Sequence, residues 1–337
     1  MQLKSETYVS VIIPHYNRAD IILGTINSVV SQTYKNWEVI IVDDHSDDYN
    51  YNLLTSSINH PSISVYRRSR LSKGPSACRN EGALLAKGKY LLFLDSDDLL
   101  APYCLEQRLT ALESSSNIDF GIFLMDTFSK YPGDLQKIYN LTSIAEDDLV
   151  SSFIQNINPW NVTCPFWKRD SFLKYGGFDE ELFYMEDPEI HIRALMSKGV
   201  QFKTFYNLPP DSYYRINYHD DTKQSFVENS IKFRLLFYNK IWQQINQSFT
   251  GKELIKFRQD IKIGLINTLN TFLLSRIGEF RDYFDEMYKW ASHHKIFSIP
   301  ELLSMLLLKR IWLTEHKIVR LLRLKGISRK LLIYYFK

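Results

Sequence analysis

Along the first hundred residues two hydrophobic periods alternate. Val9 to Pro14 is a continuous apolar run closed by proline, Trp37 to Val42 a second, Ile63 to Tyr66 a third and Tyr90 to Leu94 a fourth. Short runs of this kind, bounded by turn residues, read as strands buried on both faces. Between them the spacing turns helical: Ile22, Ile26, Val29 and Val30 follow Asp20, a candidate cap, and Pro75 to Lys87 precedes the fourth run. Strands alternating with helices predict an α/β fold with a mostly parallel sheet and helices on both faces. Further on, Leu105, Leu109 and Leu112 mark a helix started near Pro102, and Ile118 to Met125 reads as another strand. Pro188 is expected as the first residue of a helix reaching about Ser197. From 225 to 337 the texture is leucine-rich, aromatic and helical. The expected organisation is one α/β domain over 1–224 and a helical C-terminal region over 225–337.

Composition narrows the class. With 337 residues and 45% hydrophobic content the chain can bury a large core. A net charge of +3 gives no ground for a nucleic-acid partner. Three widely spaced cysteines, Cys78, Cys104 and Cys164, form neither a metal pattern nor a disulfide framework, which suits a reducing cytoplasm. Met1 to Tyr8 lacks the order of a signal peptide, and no apolar run reaches the roughly 18 residues that a spanning helix needs. The expectation is a cytoplasmic protein, soluble or peripheral on the inner face of the membrane.

In open α/β sheets ligands bind beyond the carboxyl ends of the strands. Polar residues gather there: Pro14-His15-Tyr16-Asn17 after the first run, Asp43-Asp44-His45-Ser46-Asp47 after the second, Asp95-Ser96-Asp97-Asp98 after the fourth. Crowded carboxylates repel and raise one another's pKa, so a bound divalent cation is a natural partner, and hard oxygens suit Mg²⁺ or Mn²⁺. The rival reading makes these acids mere caps of the helix near Pro102. Asp43 and Asp44 can accept from the ring N–H of uracil or from ribose hydroxyls, with Tyr16 offering an aromatic face; an Asx-type turn explains them as well. Arg79, behind the Gly74-Pro75 turn, presents a donor fork to a base or diphosphate, or is a plain surface arginine. Asp187, just before Pro188, is either a helix cap or a single carboxylate able to take a proton from an attacking hydroxyl. A helix N-terminus would keep it ionised but weaken it as a base.

Taken in order, Ser-Val-Ile-Ile-Pro-His-Tyr-Asn, Val-Asp-Asp-His-Ser, Ala-Cys-Arg-Asn-Glu-Gly, Leu-Asp-Ser-Asp-Asp and Met-Glu-Asp-Pro-Glu closely resemble the glycosyltransferase family 2 enzymes of GT-A fold, over roughly residues 8 to 215. The resemblance implies an inverting, metal-dependent transferase moving a sugar from a nucleotide-diphosphate donor, a UDP-sugar, to a hydroxyl of a saccharide acceptor in cell-surface polysaccharide or glycolipid synthesis. It implies Asp95 facing the ribose and Asp97 on Mn²⁺ or Mg²⁺, as the two acids of the family's DxD motif. It places Pro14, Tyr16, Asp43, Asp44 and Arg79 at donor-binding positions, and Asp187 of the Glu186-Asp187 pair as catalytic base. One departure is visible. The family often sets a histidine two residues after Tyr-Arg, whereas Tyr214-Arg215 is followed by Ile216 and Asn217, with His219 two positions late. Asn217 or His219 therefore competes for a metal or diphosphate contact.

Trp160, Trp167 and Glu186 are candidate acceptor contacts, with Phe166, Gly176, Gly177 and Phe178 nearby; core packing is the alternative for each aromatic. Lys309 to Lys337 holds nine basic residues and one acid, Glu315, interleaved with leucines. Such a tail resembles a basic amphipathic helix on an anionic leaflet and would bring a lipid-linked saccharide within reach; packing on the catalytic domain or forming a homo-oligomer is the alternative. A different functional class stays open: a nucleotide-sugar-binding module without turnover in a membrane-associated assembly.

Overall fold

The structure, a computed structural model, describes residues 8–115, 117–216 and 224–314. They form two compact units, one of residues 8–144 with 158–216, the other of 145–157 with 224–314. In chain order the first unit begins β1 (Val9–His15), α1 (Ala19–Val30), β2 (Trp37–Asp43), α2 (Asp48–Ser57), β3 (Ile63–Arg67), α3 (Pro75–Leu85) and β4 (Tyr90–Phe93). It continues with β5 (Leu99–Leu100), α4 (Cys104–Glu113), β6 (Phe120–Ile122), β7 (Met125–Phe128) and β8 (Lys137–Ile138). After α5 (Leu149–Ile154), which groups with the second unit, come β9 (Pro165–Lys168), α6 (Arg169–Lys174), α7 (Glu186–Leu195), β10 (Phe202–Thr204) and β11 (Ser212–Arg215).

A seven-stranded sheet runs in the order β10-β6-β9-β4-β1-β2-β3. Every neighbouring pair is parallel except the two that β9 makes, with β4 and with β6. In β1 alternate residues serve opposite faces. Val9, Val11 and Ile13 join a core with Ile22, Ile26 and Val29 of α1 and Leu105 and Leu109 of α4. Ile12, pointing the other way, meets α3 so closely that a Cβ added at Gly82 would lie 2.5 Å from its side chain. Burial on both faces is why these strands show unbroken apolar runs. A smaller sheet, β5-β11-β7-β8, is tied to this frame through α4: Arg108 and Asp211 form a wholly buried pair at 2.6 Å just ahead of β11. The expected strand over 118–125 is two, because Phe123 and Leu124 separate β6 from β7 and hand the chain from one sheet to the other.

Two expected caps move. Arg18, not Asp20, is the N-cap of α1, and Asp20 sits in the first turn. Met185, in the left-handed region at φ 71°, precedes α7, so Pro188 is its third residue rather than its first. Proline is tolerated there because first-turn N–H groups have no intrahelical acceptor.

The second unit is helical, as the C-terminal texture implies. It contains α5, α8 (Gln224–Ser248), α9 (Gly251–Thr268), α10 (Arg281–His293) and α11 (Ile299–Leu313), with a π turn over Leu269–Leu273 after α9. Asn156 donates to the carbonyl of Gly264, and Gln155 to Asp260, so the 145–157 segment is stitched onto α9. Among the described residues no helix is long and apolar enough to cross a membrane.

Candidate active site

The parallel strands β1, β2 and β4 end at the same edge, and their following residues meet there. Asp43, the last residue of β2, is wholly buried and accepts from His15 Nδ1 at 2.8 Å, the last residue of β1. His15 Nε2 in turn accepts the backbone N–H of Arg18 at 3.3 Å, which assigns the proton to Nδ1. Burial would push the Asp43 carboxyl up, but hydrogen bonds from His15 and Ser46 prevail and hold it below the usual range. Ser46 N–H donates back to Asp43 at 3.1 Å, three residues away, so the Asp43 side chain also closes the Asp-Asp-His-Ser turn. Asp44 is engaged too, accepting from Arg68 Nε at 2.5 Å and from the N–H of Gly74 at 2.9 Å. Gly74, at φ 96°, needs its lack of a Cβ, since one would collide with the ring of Phe183 at 2.5 Å. The acidic pair thus builds the wall of the site, while Tyr16 stands exposed on its rim and Pro14 is half-buried in β1.

The acids after β4 are not helix caps. Asp95 accepts from Arg79 Nη2 at 2.6 Å and Asp97 from Arg18 Nη1 at 2.9 Å. Asp98 accepts the backbone N–H of Arg215, at the end of β11, at 2.9 Å. Its other oxygen, Oδ2, is buried without a hydrogen-bond partner. Burial first, then the charges of Asp95 and Asp97, push the Asp98 carboxyl well above the ordinary range. Thr25 Oγ1 lies 3.0 and 2.8 Å from the carbonyl oxygens of Ser96 and Asp98 and shapes the turn.

Arg79 joins this loop to α7. Its guanidinium, 3% exposed, donates to Asp95 and, through Nη1, to Glu186 at 3.0 Å; Asp187 Oδ1 lies 3.9 Å away. Burial opposes its charge, but Asp95, Asp187 and Glu186 overcome that and raise its pKa. Asp187 sits in the first turn of α7. Oδ2 accepts the N–H of Val162 at 3.0 Å, whereas Oδ1 has no hydrogen-bond donor, and the side chain is 22% exposed. Burial, then the neighbouring charge of Glu186, push the Asp187 carboxyl well above the ordinary range against the pull of Arg79. Glu186 is raised as well, by burial foremost. A line of contacts therefore runs from Asp43 through His15, Arg18 and Asp97, and from Asp95 through Arg79 to Glu186 and Asp187.

Two candidates do not belong at a sugar site. Trp160 and Trp167 are buried, and between them lies His191 of α7, edge-on to Trp160 at 5.5 Å and stacked with Trp167 at 6.4 Å. Burial holds that imidazole neutral, with a pKa of about 3. Both tryptophans brace the helix that carries Asp187 and have no free face. Phe166 and Phe178 are core residues as well. Besides Tyr16, an exposed aromatic beside the site is Phe183, two residues ahead of the Met185 turn. Asn217 and His219 lie outside the described residues, as does the basic segment 315–337. Sequence reasoning missed Arg18 altogether, and it noted Arg215 only as part of the Tyr-Arg pair without its acidic partner, which lies far along the chain.

Asp97 and the orphaned oxygen of Asp98, adjacent in the turn after β4, are hard oxygen donors, a chemistry that fits Mg²⁺ or Mn²⁺. Among the described residues no group of three or more His, Cys, Asp or Glu could hold a metal by itself. A cation at Asp97 would thus draw its other ligands from substrate phosphate and water, the habit of Mg²⁺.

The chain is 39% identical over 117 residues to an uncharacterized glycosyltransferase of Rickettsia conorii, which covers 35% of this chain and 19% of the relative. It is 28% identical over 222 residues, 65% of this chain and 82% of the relative, to the UDP-Glc:alpha-D-GlcNAc-diphosphoundecaprenol beta-1,3-glucosyltransferase WfaP of Escherichia coli. The chain thus spans about a fifth of the length of the Rickettsia relative. Residues 1–349 of S. aureus TarS in complex with UDP-GlcNAc share the fold, with a TM-score of 0.60 at 19% identity over 84% of this chain and 81% of that one. The family description "Glycosyl transferase family 2" matches residues 10–194, more than half of the 337 residues, and the chain belongs to that family.

Proposed function

We propose that the protein is an inverting glycosyltransferase that moves a sugar from a nucleotide-diphosphate donor, a UDP-sugar, to a hydroxyl of a saccharide acceptor. The observation that carries this reading is the carboxylate of Asp187: it is partly exposed, one oxygen is held by Val162, the other is buried beside Arg79 without a hydrogen-bond donor, and Arg79 links it to the acids at the end of β4. A lone proton acceptor opposite an anion-handling loop is what attack on an anomeric carbon requires, since a nucleotide leaving group needs no second acid. Asp187 takes the proton of the acceptor hydroxyl while Arg79, held on Asp95 and Glu186, fixes its orientation. Asp43 and Asp44, set by His15 and Arg68, shape the wall for base and ribose, and the exposed ring of Tyr16 covers the base. A Mg²⁺ or Mn²⁺ bound through Asp97 would stabilise the charge that grows on the leaving diphosphate. Phe183, rather than Trp160 or Trp167, offers its face to the acceptor sugar.

WfaP, by its name, acts on a diphosphoundecaprenol-linked sugar. We infer a lipid-linked saccharide as acceptor here too, with the protein peripheral on the cytoplasmic face of a membrane. The apolar outer side of α11 supports that placement. The decisive measurement is turnover of a panel of nucleotide sugars with Mn²⁺ by wild type and Asp187→Asn. The variant should bind UDP unchanged and lose about 10²- to 10⁴-fold in kcat. Undiminished turnover removes Asp187 as the base.

A further inference from the structure

Three arginines from three elements share the acidic turn after β4, and they are not equivalent. Arg79 is 3% exposed and bound by acids on two elements. Arg215 gives its backbone N–H to Asp98 and its Nε to the carbonyl of Asp97 at 2.8 Å, with its guanidinium over the ring of Phe128 at 4.4 Å. Arg18 differs: its side chain is 28% exposed while the Asp97 carboxylate that it holds is 8% exposed. Its main chain, by contrast, is pinned. The N–H donates to His15, the carbonyl accepts from Ile21 and Ile22 at 3.1 Å, and the adjoining Asn17 and Ala19 donate to Ser46 and Asn50. A side chain with a fixed root and a partly exposed head can leave one partner for another nearby without moving the backbone.

We propose that Arg18 is an exchangeable counter-ion. It holds Asp97 before the donor arrives, yields that carboxylate to the incoming divalent cation, and turns its guanidinium onto the donor's diphosphate. The inference rests on the reading that Asp97 takes the cation. A guanidinium 2.9 Å from Asp97 Oδ2 and a divalent cation on the same carboxylate repel each other, so the two compete for its charge. A divalent cation brings twice the charge of the guanidinium to that carboxylate, and the released fork finds a matching anion in the diphosphate. The coupling is reciprocal: a diphosphate that draws Arg18 away strengthens the cation on Asp97 by the same factor as the cation strengthens the diphosphate.

Mn²⁺ binding to the full chain, followed by the EPR signal of the free ion, tests this with and without UDP. Arg18→Gln should tighten Mn²⁺ about three- to tenfold in the absence of nucleotide, and UDP should then strengthen Mn²⁺ binding less than in the wild type. Arg18→Lys keeps the charge and should lie between the two, and a melting curve of each variant confirms that it is folded. Asp97→Asn should abolish the site. If Asp97→Asn loses Mn²⁺ while Arg18→Gln binds it no more tightly than wild type, the exchange is wrong and the metal assignment survives. Undiminished Mn²⁺ binding by Asp97→Asn overturns the metal assignment, and the exchange with it.

Discussion

Asp187 shows two effects of opposite sign at one carboxyl. The N-terminal turn of α7 favours its anion, yet burial and the charge of Glu186 raise its pKa well above the ordinary range. A base is useful only when ionised, so turnover should fall as pH drops through that raised pKa, with an acidic limb above the carboxylate range of about 4. The charged and titratable groups that act on it are Glu186, Asp95 and Arg79, and Tyr139 feels its charge. Removing the nearest like charge with Glu186→Gln should move the limb of the kcat–pH profile to lower pH. A limb that stays put or moves upward contradicts the electrostatic account. What the sequence made legible at this scale were acids that interrupt apolar runs, because Asp95 and Asp97 follow a strand whose burial any reader can infer. Their partners were hidden. Arg18 lies 79 positions from Asp97, and Arg215 lies 117 from Asp98, so only the folded sheet reveals the pairing. Trp160 and Trp167 failed for a related reason: being near a motif says nothing of which way a ring faces.

Elements were readable where burial imposes a pattern. The first four strands begin where the apolar runs begin, and each of β1, β2 and β3 extends one residue further, into His15, Asp43 and Arg67. β9 escaped notice because four residues buried nearly throughout show no alternation, and only its two antiparallel pairings identify it. β11 was hidden too, and it carries Arg215 into the acidic turn. Its placement depends on Arg108 of α4, which is wholly buried with Asp211, donates to the carbonyl of Thr163 at 2.7 Å and reaches Ser212 at 3.2 Å. Arg108→Met leaves the Asp211 carboxylate buried without its cation and should cost about 3–5 kcal/mol. Adding Asp211→Asn removes the stranded charge and should recover part of that loss. Urea denaturation of both variants checks this: the single should unfold at clearly lower urea than the double. Equal midpoints would mean that the pair contributes only packing.

Within the helical unit, α11 is apolar on both sides, and only one side is used. Met305 and Leu308 are buried, and ion pairs of Lys262 with Glu301 and of Lys309 with Asp285 hold the helix to α9 and α10. The other side presents Ile299, Leu303, Leu306 and Leu307, each 40% to 75% exposed, at spacings of one and two turns. Leaving so many large apolar side chains in water forgoes about 1.5–3 kcal/mol apiece if each could be buried. The chain that follows, 315–337, adds seven basic residues and one acid, which supplies the charge that an anionic surface selects, about 1 kcal/mol per basic group close to it. These terms favour an interfacial helix over one that spans, since the helix ends after fifteen residues. The full chain should therefore sediment with phosphatidylglycerol vesicles and only poorly with phosphatidylcholine, more weakly at high salt. Leu303→Glu with Leu307→Glu should release it into the supernatant while the melting temperature holds, because neither residue is buried. If the double variant still sediments, the stripe is not the membrane contact. If it instead turns a dimer into a monomer by light scattering without changing vesicle binding, the apolar side of α11 joins two copies of the chain.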